Sequence, residues 1–322
     1  MKSLKPTVLV AAALALAPML GQAQAFPDKA ITFVVPFAAG TATDQIARAL
    51  GNGITAETKQ PVVIDNKAGA SGFIASQQVA KAPADGYTVL ITTNTTHAAN
   101  EHLFKKLPYD PVKDYAPVAA LGKGGQIMVV NPSFPAKSVA EFIALAKKEP
   151  GKYSFGSGSS SSRMAGELLQ QMADIRLLHV PYKSNTLAVT DLLGGQIHMM
   201  ITDTATGLPQ VKAGKLRALG FSSSVRSPLA PDVPTISEAG VKGYEMGYWF
   251  AAYAPAKTPP AVVKRLNELL VKAAKSDAAK TAFYEPTGTE VYTTSPEELA
   301  KFQAAESQKW GRIVKAAGIE AE

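Results

Sequence analysis

The sequence predicts an α/β protein of two wound-sheet lobes joined by two crossing segments. Three observations predict it. Short apolar runs alternate with helix-periodic segments, the pattern of parallel strands covered by helices. A unit of strand, small-residue loop and helix start occurs twice, the second about 120 residues after the first. Two long extended stretches, Ala116 to Val130 and Tyr244 to Tyr253, break the alternation and read as crossings between lobes.

The chain opens on Lys2 and Lys5, an apolar run from Val8 to Leu20, and Ala23-Gln24-Ala25. That order of positive, apolar and A-x-A segments predicts a cleaved secretory leader, and the run is too short to span a bilayer. The mature chain is then expected to start near Phe26, with about 297 residues left of 322, as a soluble periplasmic protein. That length suits two ordinary domains. No cysteine is present, which excludes disulfides and thiol chemistry. The net charge is +7, or +5 once Lys2 and Lys5 leave with the leader. Lysines never run beyond two in a row, so a nucleic-acid patch is the poorer reading.

The first unit is Thr32–Asp44. Phe33-Val34-Val35 reads as a buried strand, Pro36 breaks it, and a helix follows with Ile46, Leu50 and Ile54 at every fourth position. Thr41 or Thr43 is placed to cap that helix, with Asp44 in its first turn. Free N–H groups at such a helix start converge on an anion; the alternative is a βα turn capped by its own side chains. Pro61 to Ile64 is a second strand, followed by Asp65-Asn66, the turn Gly69–Gly72 and a helix through Val79. Asp85-Gly86 turns into a third strand, Tyr87 to Ile91, ending in the polar cluster Thr92–His97. Ligands of wound sheets sit beyond the carboxyl ends of strands, so this cluster is expected beside the Phe37–Asp44 loop.

Past the turn-rich Leu107–Pro111 and the first crossing, the design repeats. Ser138-Val139-Ala140-Glu141 is a capping box opening a helix that Pro150-Gly151 ends. Tyr153 to Phe155 leads into Gly156–Ser162, then a helix with Met164, Leu168 and Met172 on one face. A Gly/Ser run can be a linker, but this one is short and lies between a strand and a periodic helix. Leu177 to Val180 ends at Pro181-Tyr182-Lys183, and Ile197 to Ile201 ends at Thr202-Asp203-Thr204. A strand Leu216 to Phe221 and the Pro-rich loop Ser227 to Thr235 lead to the second crossing. Its Trp249 and Phe250 either meet an aromatic ligand or pack at the hinge. Thr258 is expected to cap a helix from Pro260 to Ala274 with Pro259 at its first position, and Ser295 opens a last helix to about Ala317. The expected lobes are 26–122 with 245–322, and 123–244.

Signatures of catalysis are missing from the sequence. The serine loop is no G-x-S-x-G elbow, no H-E-x-x-H occurs, and no G-x-G-x-x-G follows a strand. His97 and His102 are five apart with no ligand pattern, and His179 and His198 sit on apolar strands as structural histidines do. No cofactor or metal is predicted. An exported hydrolase using a serine of Gly156–Ser162 is the competing reading, short of an elbow and of a partner base. What remains is two helix starts facing across a cleft. Each charge-assisted hydrogen bond to a carboxylate is worth roughly 1.5–3 kcal/mol, and the helix dipole adds about 0.3–1 kcal/mol. With some apolar contact this reaches the roughly 8 kcal/mol of a micromolar binder, without any arginine.

Val35-Pro36-Phe37 with Gly40 and Thr43-Asp44 resembles the first ligand loop of a known family. Asp85–Thr88, Leu107–Pro111, Val180–Lys183, Asp191–Gln196, Lys212–Ala218 and Pro231–Thr235 match further blocks in order, over nearly the whole mature chain. The chain resembles the Bug (Bordetella uptake gene) family, extracytoplasmic solute receptors of tripartite tricarboxylate transporters. The resemblance implies a two-lobed periplasmic-binding-protein fold of the type II, Venus-flytrap kind, without catalysis. It implies a monomer that serves the transporter's membrane subunits; a ligand-loaded sensor for another membrane partner is the alternative. The ligand carboxylate would lie between Phe37, Ala38, Ala39, Gly40, Thr41, Thr43 and Asp44 on one side and Gly156, Ser157, Gly158, Ser159, Ser160 and Ser161 on the other. Thr93, Asn94, Thr95 and His97, then Tyr182 and Lys183, then Asp203, would complete the site. Ala38 and Ala39 stand where prolines are usual, and Thr41 where glycine is usual. Related receptors take amino acids, aliphatic di- and tricarboxylates, and aromatic carboxylates.

Overall fold

A computed structural model describes residues 26–316 and 318–321. The leader expected over residues 1–25 lies outside them. Among the described residues no helix is long and apolar enough to cross a membrane.

The described chain opens with β1 (Ile31–Val35), α1 (Ala42–Thr58), β2 (Val62–Asn66), α2 (Phe73–Ala80) and β3 (Thr88–Thr93). A π turn, Thr95–Ala99, follows and continues into α3 (Asn100–Leu103). β4 (Tyr115–Val130) is the first crossing. After it come α4 (Val139–Lys148), β5 (Ser154–Ser157), α5 (Ser160–Ala173), β6 (Leu178–Pro181), α6 (Asn185–Leu193), β7 (Met199–Asp203), α7 (Thr204–Lys212) and β8 (Arg217–Phe221). β9 (Gly247–Pro255) returns, and α8 (Pro260–Lys275), the short α9 (Asp277–Ala279) and α10 (Glu285–Thr287), and α11 (Pro296–Ala316) close the chain.

β1 pairs in parallel with β2 and β3, and β9 lies antiparallel between β3 and β4. β4 then changes partners. Up to Gly125, opposite Gly247, it pairs with β9; from Gln126, opposite Asp203, it pairs with β7. β8 pairs with the same end of β4, while β5 joins β7 to β6 in parallel. One strand thus belongs to both groups of paired strands, and the βα loops lie beyond the carboxyl ends of their strands.

Packing follows the periodicities. Ile46, Leu50 and Ile54 bury one stripe of α1 against Leu266, Leu269 and Leu270 of α8, and each such side chain is worth about 1.5–3 kcal/mol. β9 alternates: Tyr248, Phe250 and Ala252 join that core, while Trp249, Ala251 and Tyr253 join the core on the other face. The α4 cap forms, with Ser138 Oγ accepting from the Glu141 N–H at 3.2 Å, while Glu141 Oε2 accepts from the Lys137 N–H at 2.7 Å and not from Ser138. Two expected caps do not form. Thr258 turns its hydroxyl to the Pro255 carbonyl at 2.7 Å, so Pro259 is the N-cap of α8 and Pro260 its first residue. Thr41 holds the N-cap position of α1, but its hydroxyl donates to the Ala38 carbonyl at 2.8 Å.

Candidate functional site: a cleft between two helix starts

The β1–α1 loop is shaped by its own acid. Gly40 takes φ +81°, the left-handed region that favours glycine. Its N–H donates to Asp44 Oδ2 at 2.9 Å, and Arg48 grips the same carboxylate at 3.0 and 2.9 Å. Burial pushes the Asp44 carboxyl up, but the Arg48 and Gly40 hydrogen bonds outweigh it and hold it below its ordinary value. With Thr41 turned away, no side chain caps the first turn of α1.

The β5–α5 loop faces it. Here Ser159 caps its own helix, accepting from the Ser162 N–H at 3.2 Å. Gly158 donates its N–H to Asn185 Oδ1 at 2.9 Å, and a Cβ on it would sit 1.9 Å from the Ser184 carbonyl carbon. Only glycine fits there. Asn185 passes the contact on, donating to Asp203 Oδ2 at 3.0 Å. Asp203 caps α7 with Oδ1, which accepts from Thr206 N–H at 2.8 Å and Thr206 Oγ1 at 2.7 Å.

The two loops meet at a cavity of about 30 Å³. Of the residues expected at the site, Phe37, Thr41, Thr43, Thr93, Gly158, Ser159, Ser161, Asp203 and Phe250 line it. Ala42, Gln126, Asn185 and Tyr248 line it as well, although sequence reasoning passes over them. Tyr248 has a usable signal, lying two residues from Phe250 on the same strand face. Its hydroxyl sits 3.1 Å from Thr204 Oγ1 and 2.9 Å from Thr289 Oγ1, and burial pushes its pKa up to about 12. It stays a neutral hydroxyl.

A second cavity of about 390 Å³ adjoins the first and shares Phe37, Gly158 and Ser159 with it. Ser157, Ser160, Tyr182 and Lys183 face this neighbour rather than the cleft centre. Ser157 Oγ lies 2.7 Å from His179 Nε2, the register neighbour of Phe155 on β6. Ser160 Oγ donates to Asn100 Oδ1 at 2.7 Å, a hydrogen bond from the start of α5 to the start of α3. Asn100 is oriented for it, since its Nδ2 donates to the Ser71 carbonyl at 3.0 Å and to Tyr109 Oη at 3.2 Å.

Other expected residues stand elsewhere. Ala38, Ala39 and Gly40 belong to the loop but do not line the cavity, and Asp44 is spent on Gly40 and Arg48. Gly156 lies within β5, packed under Ile197 and Tyr182. Asn94, Thr95 and His97 are buried behind the cleft because the chain coils into a π turn after β3. His97 stacks on Tyr253 with ring centroids 3.9 Å apart, and burial lowers its pKa to about 3. Trp249 points to the opposite face of β9, where its indole N–H donates to Glu306 at 3.2 Å. Among the described residues no group of three or more His, Asp or Glu side chains is placed to hold a metal ion.

BugT of Bordetella pertussis is 35% identical over 299 residues, 92% of this chain and 91% of that one. The R. palustris protein Rpa4515, solved with adipate, superposes with a TM-score of 0.89 at 35% identity, covering 92% of this chain and all of that one. MatC (Rpa3494) from Rhodopseudomonas palustris, solved with malate, gives 0.85 at 32% identity over 90% of this chain and 100% of its own. Residues 46–319 match the family described as tripartite tricarboxylate transporter family receptor, and the chain belongs to that family of solute-binding receptors.

Proposed function

We propose that the mature chain is a periplasmic receptor that captures a small organic carboxylate in this cleft and presents it to the membrane subunits of its transporter. The observation that carries the reading is the uncapped first turn of α1 facing the Gly158–Ser161 segment across one cavity. That arrangement offers N–H and hydroxyl donors to an anion from both sides, with no lysine or arginine in the wall. Adipate and malate in two similar structures support a carboxylate over a sugar or an amine. We assign residues 26–122 and 245–322 to one lobe and 123–244 to the other, with the hinge where β4 and β9 cross. The ligand contacts belong to the nine expected residues that line the cavity and to the four others beside them.

Thermal-shift screening of residues 26–322 with organic acids, then calorimetry on the hits, tests this. An acid at a hundred times its Kd raises stability by about 2.7 kcal/mol. Stabilisation by neutral sugars or polyamines, and by no acid, would overturn it. The Ser157–His179 contact is what a hydrolase would use, so the hits and a set of activated esters are also followed for turnover. Turnover lost in Ser157→Ala would establish the enzyme instead.

A further inference from the structure

We infer that Gln126 reads a hydroxyl on the bound acid, so that the ligand is a hydroxy-carboxylate rather than a plain alkyl acid. The inference rests on the carboxylate reading of the cleft and adds the group beside the carboxylate.

Gln126 is the first residue of β4 past the change of partners, opposite Asp203. Its backbone is held twice by Ser222: the Gln126 N–H donates to Ser222 Oγ at 2.6 Å, and its carbonyl accepts from the Ser222 N–H at 2.8 Å. The residue lines the cavity and is 1% exposed. Its Oε1 is buried and has no hydrogen-bond partner among the described residues. A buried amide oxygen left unmet is costly, and buried polar groups are almost always paired. Whatever occupies the cavity is therefore placed to supply the partner.

The neighbouring polar groups indicate which partner. Asp203 already accepts from Thr206 twice, from Asn185, and from Thr202 Oγ1 at 3.4 Å, which fills the four lone-pair sites of a carboxylate. An ammonium brings three N–H groups and would find that carboxylate occupied. A hydroxyl brings one donor, which a single amide oxygen satisfies. It also accepts, so it meets the carboxamide whichever way that group is turned. Sites built around a buried hydrogen bond to a ligand hydroxyl discriminate strongly against the analogue that lacks it.

Calorimetry on residues 26–322 with acids differing by one hydroxyl tests this: succinate against malate, glutarate against 2-hydroxyglutarate, propanoate against lactate. In the pair that binds, the hydroxy acid is expected to bind at least tenfold more tightly. Gln126→Leu should shrink that ratio below threefold through weaker binding of the hydroxy acid. Gln126→Met repeats the test with a flexible side chain, and unfolding curves show that each variant folds. Plain acids binding as tightly as hydroxy acids, or a variant that keeps the original ratio, would overturn the inference. A folded wild-type chain that binds no acid at all overturns the carboxylate reading itself.

Discussion

The β1–α1 and β5–α5 loops look like one design used twice, yet their hydrogen bonds divide the work unequally. In the first, the acid of the helix turns back to Gly40 and the hydroxyl of Thr41 turns away, so the α1 start keeps no side-chain cap. In the second, Ser159 caps α5 and pairs with Ser161 at the cavity, while Ser157 goes to His179, Ser160 to Asn100 and Ser162 to the Ile201 carbonyl. One loop leaves its helix start without a side-chain cap, while the other caps its helix and reaches across to Asn100.

The glycines of the two loops sharpen the contrast most. Gly158 is required by space and Gly40 by conformation. A Cβ added at Gly158 would meet the backbone of Ser184 and Asn185 at 1.9 and 2.1 Å, whereas nothing lies within 4 Å of a Cβ at Gly40. Gly158→Ala is expected to cost about 3 kcal/mol or more by forcing α6 off β5, at the upper end of overpacking effects. Gly40→Ala is expected to cost about 1–2 kcal/mol, the penalty of a left-handed L-residue. Urea unfolding of both variants measures the difference. Equal losses would mean that the two loops are interchangeable after all.

A pH-dependent effect separates the groups behind the first loop from those in it. His97 is neutral, with its pKa lowered to about 3 by burial. In the unfolded chain a histidine titrates near 6.5, so below that pH the unfolded state binds a proton that the native state refuses. Its contribution is full above about pH 6.5 and falls as pH drops toward 3, at roughly 1.4 kcal/mol per unit. His97→Gln should flatten the stability–pH curve between about pH 6 and 4 and leave acid binding at pH 7.5 within a factor of about three. Loss of binding with an unchanged pH profile would move His97 from the core into the cleft.

How much of this is legible in the sequence follows from which forces are local. Strands, helices and both crossings are written in periodicity and in Gly and Pro punctuation, and those survive folding because backbone pairing obeys them. The direction of each hydroxyl is not written there. Four serines in a row, Ser159–Ser162, present the same chemistry in the sequence, and tertiary neighbours such as Asn100 and Ile201 decide what each one does. His97 escapes the sequence because Thr95–Ala99 reads as a polar loop, while the structure coils it into a π turn against Tyr253. Trp249 and Phe250 read as a pair, although period-two alternation allows only one of them to face the cleft. Gln126 stays hidden because a crossing strand announces its backbone pairing and not which of its side chains ends up in the cleft.

Ser160 carries the last and smallest test, and the structure changes its basis. The sequence places Ser160 against the ligand carboxylate, where a fixed negative charge would repel it. The hydroxyl instead donates to Asn100 Oδ1 from across the cleft, outside the central cavity. Ser160→Ala then removes a closure bond and nothing else. A net hydrogen bond is worth about 0.5–1.5 kcal/mol, so affinity should fall by about two- to tenfold, and mainly through faster release. Ser160→Asp sets a carboxylate against an amide oxygen whose nitrogen is already committed to Ser71 and Tyr109, and should weaken binding further than alanine does. Ser138→Asp, at an exposed helix cap remote from the cleft, is the matched control and should change neither affinity nor stability by more than about 0.5 kcal/mol. Stopped-flow release rates separate the outcomes. A slower association with unchanged release in Ser160→Asp would return the serine to the ligand, and equal effects at Ser138 would reduce both to general charge.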